Sequence, residues 1–434
     1  MEIGSPPERE TMPAVCLYFQ VHQPYRLNRY SYFDIGSDKE YFDTELNRSI
    51  IQKVSERCYL PTNRHLLQLL RRYEGAFKVT FSITGTAVEQ MKRWAPEALS
   101  SFQELAATGC VDFLGETYYH SLAALYDKDE WCEQVGLHSE MMASEFGVRP
   151  TVFRNTELLY SDDIGRAAAV LGFSGILAEG IDDVLGWRSP NFVYRVPETE
   201  TKVLLRNHKL SDEIGFRFVS HKDGDGRFLT AKRYASWIHS LTGNADLVGL
   251  FLDYETFGEH LGKDTGIFEF LNDLPASVLA HQDWRFSTAG EAAEHLQASS
   301  ELSFPRLTSW ADSSRDDSTW RGNRMQNSSL LRTYDRSEFS GQVDCLQEST
   351  RSMVETWRRL QTSDHYYYMS TKGGGDGVVH QYFSPFESPY DAFISFSNIM
   401  KDFTRRCREC QAIEPLPVVG RVAEVSGIHQ GREK

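Results

Sequence analysis

The chain lacks any long apolar run: nothing approaches the roughly 18 residues that a membrane-crossing helix needs. A membrane is therefore not an expected partner. Its first residues, "MEIGSPPERETMP", hold acidic side chains and prolines where an export signal has a basic region and then an apolar one. The expected location is the cytoplasm. Cysteine is scarce, seven in 434 residues and scattered, which excludes a disulfide scaffold and suits a reducing compartment. The one close pair, Cys407 and Cys410 in "RRCREC", has no second pair or histidine cluster beside it and reads as two thiols on successive helical turns. Positive charge is in deficit, with a formal net charge of −15. Broad nucleic-acid and anionic-membrane surfaces need clustered Lys and Arg, so no nucleic-acid partner is expected and a neutral or cationic ligand fits better. Two catalytic signatures are missing as well: G-x-x-x-x-G-K-[ST], which cradles phosphates, and G-x-S-x-G, which presents a nucleophilic serine.

Apolar material is plentiful, at 41% of the residues, and a chain of this length can bury a sizeable core. Apolar runs recur at 15–21, 77–83, 111–116, 151–157, 172–179, 202–207 and 247–253. Several are nearly continuous, as in strands covered on both faces. Between them lie amphipathic stretches such as "RHLLQLLRRYEG", "TAVEQMKRWAPEALSSFQELAATG" and "DDIGRAAAVLG", the last two ending at a glycine suited to a helix C-cap. Strand and helix in alternation predict parallel βα units closing into an α/β barrel of seven strands, or eight if the weak run "WRFST" (284–288) joins. After about residue 325 the strands stop and helical segments follow. The expected organisation is a poorly ordered 1–12, a catalytic barrel over 13–325, a helical region over 326–412 packed on the barrel, and a flexible tail over 413–434. "STKGGGDG" (370–377) reads as a loop, because consecutive glycines lose too much entropy in a regular element.

In a parallel barrel the chemistry gathers at the C-terminal ends of the strands. The first strand runs into "HQPY" with His22 and Gln23, the third into "GETYYH" with Glu116 and His120, and the fourth into "NTELLY" with Glu157. The sixth ends at "RNHKLSDE" with His208 and Asp212, and the seventh at "FLDYETFGEH" with Asp253, Glu255, Glu259 and His260. Taken singly, each has an ordinary role: an Asp caps a helix or turns the chain, and tyrosines pack. Their concentration at several strand ends points instead to a shared cleft. Carboxylates, histidines and aromatics suit glycoside cleavage, which needs two carboxyl groups facing each other across a sugar. Metal-dependent hydrolysis is the other option; no H-x-H, H-E-x-x-H or D-x-H spacing supports it near these positions.

These segments resemble glycoside hydrolase family 57, in particular its archaeal-type α-amylase branch. "HQPY" (22–25), "GETYYH" (115–120), "FRNTELLY" (153–160), "FLDYETFGEH" (251–260) and "TWRGNRMQ" (319–326) are similar, in chain order, to the family's five characteristic regions. The last departs from that pattern in carrying Arg321 and Arg324. "RNHKLSDEIGFRF", "LQTSDHYYYM" and "YFSPFESPYDAF" also look like segments of that branch. The resemblance implies an incomplete (β/α)7 TIM-like barrel with a C-terminal helical region, retaining hydrolysis of α-1,4-glucans, and no cofactor or metal. It implies Glu157 as nucleophile and Asp253 as general acid/base. His22, Gln23, Glu116, His120 and Glu255 are then expected on sugar hydroxyls, with Trp320 lining a subsite. Like-charge repulsion from Glu255 is expected to favour a protonated Asp253. The same scaffold also serves 4-α-glucanotransferases and branching enzymes, and a glucan-binding protein without turnover is the alternative of another class.

Overall fold

The computed structural model describes residues 12–37, 39–220, 228–338, 348–372 and 384–413. The two terminal segments expected to lack order, and most of the 370–377 loop, lie outside these residues. The strands are β1 (Ala14–Val21), β2 (Val79–Ile83), β3 (Val111–Phe113), β4 (Val152–Phe153), β5 (Gly175–Glu179), β6 (Tyr194–Arg195), β7 (Lys202–Arg206), β8 (Leu247–Asp253) and β9 (Arg285–Phe286). Seven of them run in the order β3-β2-β1-β8-β7-β5-β4, each neighbouring pair parallel. The end strands β3 and β4 meet through one bridge, Gly115 to Phe153. Gly115 N donates to Val152 O at 2.9 Å and Arg154 N to Gly115 O at 2.8 Å. The result is a barrel closed except for that seam, surrounded by helices.

The eighth candidate, 284–288, forms the short β9, which pairs with β1 at Ala14 and Val15 outside the seven-strand order. It lengthens the bottom of the sheet and contributes no wall. The unforeseen β6 is a two-residue antiparallel partner of β7. The helical stretch expected over 86–109 is two helices, Gly85–Trp94 and Pro96–Ala106. Pro96 has no N–H to continue the first and is pre-set for the first turn of the second.

The period of two along a strand decides which side chains enter the barrel. Ala14, Cys16 and Tyr18 of β1 belong to one buried cluster together with Leu114, Val152, Leu177, Leu204, Leu247 and Phe251. The alternate residues Val15, Leu17, Phe19 and Val21 pack against the surrounding helices. Two positions beyond the lumen residues Tyr18, Leu114, Val152, Leu177, Leu204 and Phe251, the same parity yields Gln20, Glu116, Arg154, Glu179, Arg206 and Asp253. Thr80 and Ser82 of β2 complete the series, since Val79, Phe81 and Ile83 face outward. An apolar lumen is thus capped by a polar layer, one side chain from each wall strand, at the end where the chemistry is expected.

The C-terminal region packs on the barrel through a continuous core. Helices Glu348–Leu360, Ser363–Tyr367 and Pro389–Ile413 contribute Trp357, Tyr366, Phe396 and Ile399 to a cluster that includes Phe153, Ile176, Val203 and Leu205 of the barrel wall. Cys407 is buried in this cluster, in keeping with a packing role; the side chain of Cys410 lies outside the described residues. None of the described helices is long and apolar enough to cross a membrane.

Candidate active site

The polar layer forms the floor of a cavity of about 450 Å³ lined by Gln20, Arg154, Arg206 and Asp253 together with loop residues His22, Gln23, His120, Glu157, Glu255 and Trp310. Its members are tied to one another. Ser82 Oγ donates to Gln20 Oε1 at 2.7 Å, and Gln20 Nε2 reaches Glu116 Oε1 at 3.4 Å. Arg206 donates to Glu179 Oε2 at 3.1 Å and to Asp212 Oδ1 at 2.6 Å, while Arg315 bridges the same two carboxylates at 2.7 and 3.0 Å. Burial raises the Glu179 carboxyl pKa above its ordinary value, although the two arginines pull against that.

Glu157 stands just beyond β4 in a tight turn, with φ 58° and ψ 26°. Left-handed backbone at a non-glycine costs on the order of 1–3 kcal/mol and persists only where the surroundings over-determine it. Here they do. Ser309 Oγ donates to the Glu157 carbonyl at 2.9 Å, and three donors hold its carboxylate. Trp310 Nε1 lies 3.1 Å from Oε2, Ser363 Oγ 3.0 Å from Oε1, and His120 Nε2 3.4 Å from Oε1. Ser363 belongs to the C-terminal region, and its own N–H donates to the His120 carbonyl at 2.9 Å. That region therefore completes the site.

His120 also has left-handed backbone, φ 52°. Its Nδ1 lies 3.2 Å from Glu116 Oε2. Burial alone lowers a histidine, but hydrogen bonds from both ring nitrogens to Glu116 and Glu157 outweigh it and push His120 up to about 9. It is an imidazolium at neutral pH, donating from both nitrogens. His22 stacks on it with ring centroids 3.9 Å apart. Burial, reinforced by the adjacent His120 charge, lowers His22 below its ordinary value. A neutral ring offers one donor and one acceptor, which matches Nε2–H to Asp364 Oδ2 at 2.9 Å and Nδ1 accepting from Thr84 Oγ1 at 3.0 Å.

Two expected sugar contacts sit elsewhere. Glu116 is fully buried and absent from the cavity lining; as the lumen residue of its strand it lies one layer down and holds His120. Burial raises its carboxyl, but the His120 hydrogen bond and charge win and leave it below the ordinary value. Trp320 is buried with Leu330 and Tyr366 in the core shared by the barrel and the helical region, off the cavity. The short helix Ser318–Arg321 turns its apolar side inward, so the indole packs. Trp310 takes the place expected of Trp320, with the Arg154 guanidinium carbon 4.9 Å from its ring centroid and that of Arg206 5.9 Å. Arg321 pairs with Asp317 at 2.7 Å and lies over Tyr126, away from the cavity.

Asp253 is exposed to the cavity at the end of β8, while Glu255 is buried. Burial first, and the Asp253 charge in addition, raise Glu255 to about 8. Of two neighbouring carboxyls, the one denied water holds its proton more firmly. The loop beyond Glu255 rests on a π-helical turn, Ser55–Tyr59. Tyr59 Oη donates to Glu255 Oε1 at 2.6 Å and Cys58 Sγ to the Tyr254 carbonyl at 3.2 Å. Gly258, at φ 108°, brings its backbone so close to the Arg57 carbonyl that a Cβ there collides with it. Among the described residues no group of three or more His, Cys, Asp or Glu side chains is arranged to hold a metal ion.

Comparison with known proteins agrees with this architecture. The chain is 42% identical over 409 residues, 92% of its length and 85% of the relative's, to a Methanocaldococcus jannaschii protein named "Putative alpha-amylase". Its fold is like that of a GH57 branching enzyme from Thermococcus kodakaraensis, with TM-score 0.62 and 13% identity over 92% of this chain and 94% of that one. It is also like a 4-alpha-glucanotransferase from Thermococcus litoralis, with TM-score 0.61 and 14% identity over 89% of this chain and 60% of the other. Residues 16–305 match the model of glycosyl hydrolase family 57, and with the relative's identity over nearly the whole chain this makes the protein a member of that family and a glycoside hydrolase.

Proposed function

We propose that the protein is a retaining α-amylase acting on α-1,4-glucosidic bonds of starch, glycogen or maltooligosaccharides, with Glu157 as nucleophile and Asp253 as general acid/base. The observation that carries the reading is the contrast between these two carboxyls on one cavity. Glu157 is clamped on both oxygens by Trp310, Ser363 and His120, as a group that must attack one carbon from one direction. Asp253 is exposed to the cavity, as a group that must trade protons with a leaving oxygen and then with water. Glu157 attacks the anomeric carbon while Asp253 gives its proton to the departing oxygen; water then gives a proton to Asp253 and displaces Glu157 from the sugar. The His120 cation at Oε1 of Glu157 favours the ionised, nucleophilic carboxylate. Gln23 on the cavity wall has a second amide hydrogen for a sugar hydroxyl, the His22 ring lines the same wall, and Trp310 offers a ring for a sugar face.

The test is product analysis on soluble starch and maltoheptaose with reducing-end counting, for the wild type and Asp253→Asn. New reducing ends from the wild type alone are expected. Longer chains accumulating without new ends would make the protein a transferase, and absence of turnover on either substrate would leave glucan binding or another glycan.

A further inference from the structure

Glu255 lies two residues past Asp253 on the same cavity, and both side-chain donors held against its carboxyl converge on one atom. Tyr59 Oη reaches Oε1 at 2.6 Å and Gln23 Nε2 reaches the same oxygen at 3.3 Å. Arg26 Nη2 donates to Gln23 Oε1 at 3.1 Å, which fixes the amide with its NH2 toward Glu255. With both side-chain donors on Oε1, Oε2 is the oxygen better suited to carry a proton. The ionisable groups around it are Tyr59 and Cys58 on the π-helical turn, Asp253 on β8, Glu259 on the following loop, and the Arg26 guanidinium, separated from it by the Gln23 amide. Lys53, on the helix before that turn, and Arg57, on it, pair with Glu259 at 2.6 and 3.9 Å. Among the described residues no Lys, Arg or His forms an ion pair with Glu255. A buried carboxyl with no counter-ion and a carboxylate beside it keeps its proton, in line with its rise to about 8.

We infer that Glu255 works as a neutral acid, holding its proton on Oε2 throughout turnover and donating it as a hydrogen bond to the Asp253 carboxylate. This rests on Asp253 being the general acid/base. When Asp253 gives its proton to the glycosidic oxygen, the electron pair of the broken carbon–oxygen bond stays on the leaving group and Asp253 becomes a carboxylate. Glu255 stabilises that anion without transferring its own proton. In the second half-reaction a water proton returns to Asp253, the water oxygen bonds the anomeric carbon, and the pair of the ester bond returns to Glu157. Glu255 ends as it began. The role differs from that of an ionised carboxylate accepting hydrogen bonds from sugar hydroxyls, because a neutral acid can be imitated by an amide.

The experiment is the pH dependence of kcat on maltoheptaose for the wild type, Glu255→Gln, Glu255→Ala and Tyr59→Phe, with Glu157→Gln as reference. Difference infrared spectra of wild type against Glu255→Gln give a readout independent of turnover. The wild type should lose activity as pH rises through about 8. Glu255→Gln, which retains a donor, should stay within about threefold of wild type at low pH and lose the part of the alkaline limb near 8, keeping only the fall that ionisation of Asp253 imposes, whereas Glu255→Ala falls about 10- to 100-fold. Tyr59→Phe removes a donor that favours the ionised form, so its limb moves to higher pH. The infrared difference should contain a protonated-carboxyl C=O stretch below that pH which fades above it. A drop of about 10-fold or more in Glu255→Gln at low pH, or no protonated-carboxyl band there, overturns the neutral acid. Activity surviving in Glu157→Gln overturns instead the assignment of the site, whatever the infrared result.

Discussion

Trp310→Phe separates the roles of the two candidate tryptophans. The substitution keeps a ring against Arg154 and Arg206 but deletes the indole N–H that lies 3.1 Å from Glu157 Oε2. Ser363 and His120 both sit on Oε1, so that oxygen stays anchored while the Trp310 hold on Oε2 is lost. A hydrogen bond to a charged group contributes about 1.5–3 kcal/mol, which at about 1.4 kcal/mol per decade predicts a loss of about 10- to 100-fold in kcat/KM. Stability should change by less than about 2 kcal/mol, since the ring stays and only the cation–π contact weakens. Trp320→Phe is the control: a fully packed indole shrinks, the melting temperature falls with about 1–2 kcal/mol of stability, and kinetic constants of the folded protein hold. The assay is reducing-end kinetics on maltoheptaose beside thermal melts of both variants. A folded Trp310→Phe within twofold of wild type, or a Trp320→Phe with an equal kinetic defect, would refute the geometry argued for Glu157.

Other expectations follow from the same contacts. The His120 ring should titrate at about 9 in NMR, and Glu116→Gln should bring it down. Because the folded value is raised, the stability it contributes is complete below 6.5 and is lost as pH rises through about 9; a wild-type ring titrating near 6.5 would contradict the double carboxylate contact. The Arg154 guanidinium is fully buried, and none of its nitrogens hydrogen-bonds to another described residue. Arg154→Met should therefore leave the urea midpoint unchanged or higher, since burying an unpaired cation is costly, while kcat/KM falls about tenfold or more through the loss of support beneath Trp310. A destabilised variant with normal kinetics would count against this. Gly258→Ala should cost about 2 kcal/mol or more, because it combines a backbone conformation that side chains rarely adopt with a clash on Arg57; chemical denaturation reads this directly, and a neutral result would mean that the loop does not depend on the π-helical turn.

The barrel was legible because its wall strands are buried on both faces and stand out as apolar runs between amphipathic ones. The lengths were less so: β3 and β4 leave the ladder after three and two residues, and the apolar continuation there serves the turns into Glu116 and Glu157. Position at strand ends is enough to place Glu157 and Asp253 on the cavity. Counting in twos along each strand carries further, since it separates Glu116, in the lumen layer, from His120, on the loop, and it finds Gln20, Arg154, Glu179 and Arg206. Nothing local distinguishes Trp310 from Trp320, because both lie where no periodic pattern tells inside from outside. Ser363 and Asp364 are more than 200 residues along the chain from the groups they hold. Only the folded C-terminal region brings them in.

The central claim is that Glu157 becomes covalently bound to the sugar. Intact-mass and peptide mass spectrometry after incubation with 5-fluoro-α-glucosyl fluoride, which slows release of a glycosyl enzyme, tests it most directly. One fluoroglucosyl group on the peptide that contains Glu157, absent in Glu157→Gln, is the predicted result. A label on another carboxylate, or turnover of the reagent with no label on any peptide, would contradict it.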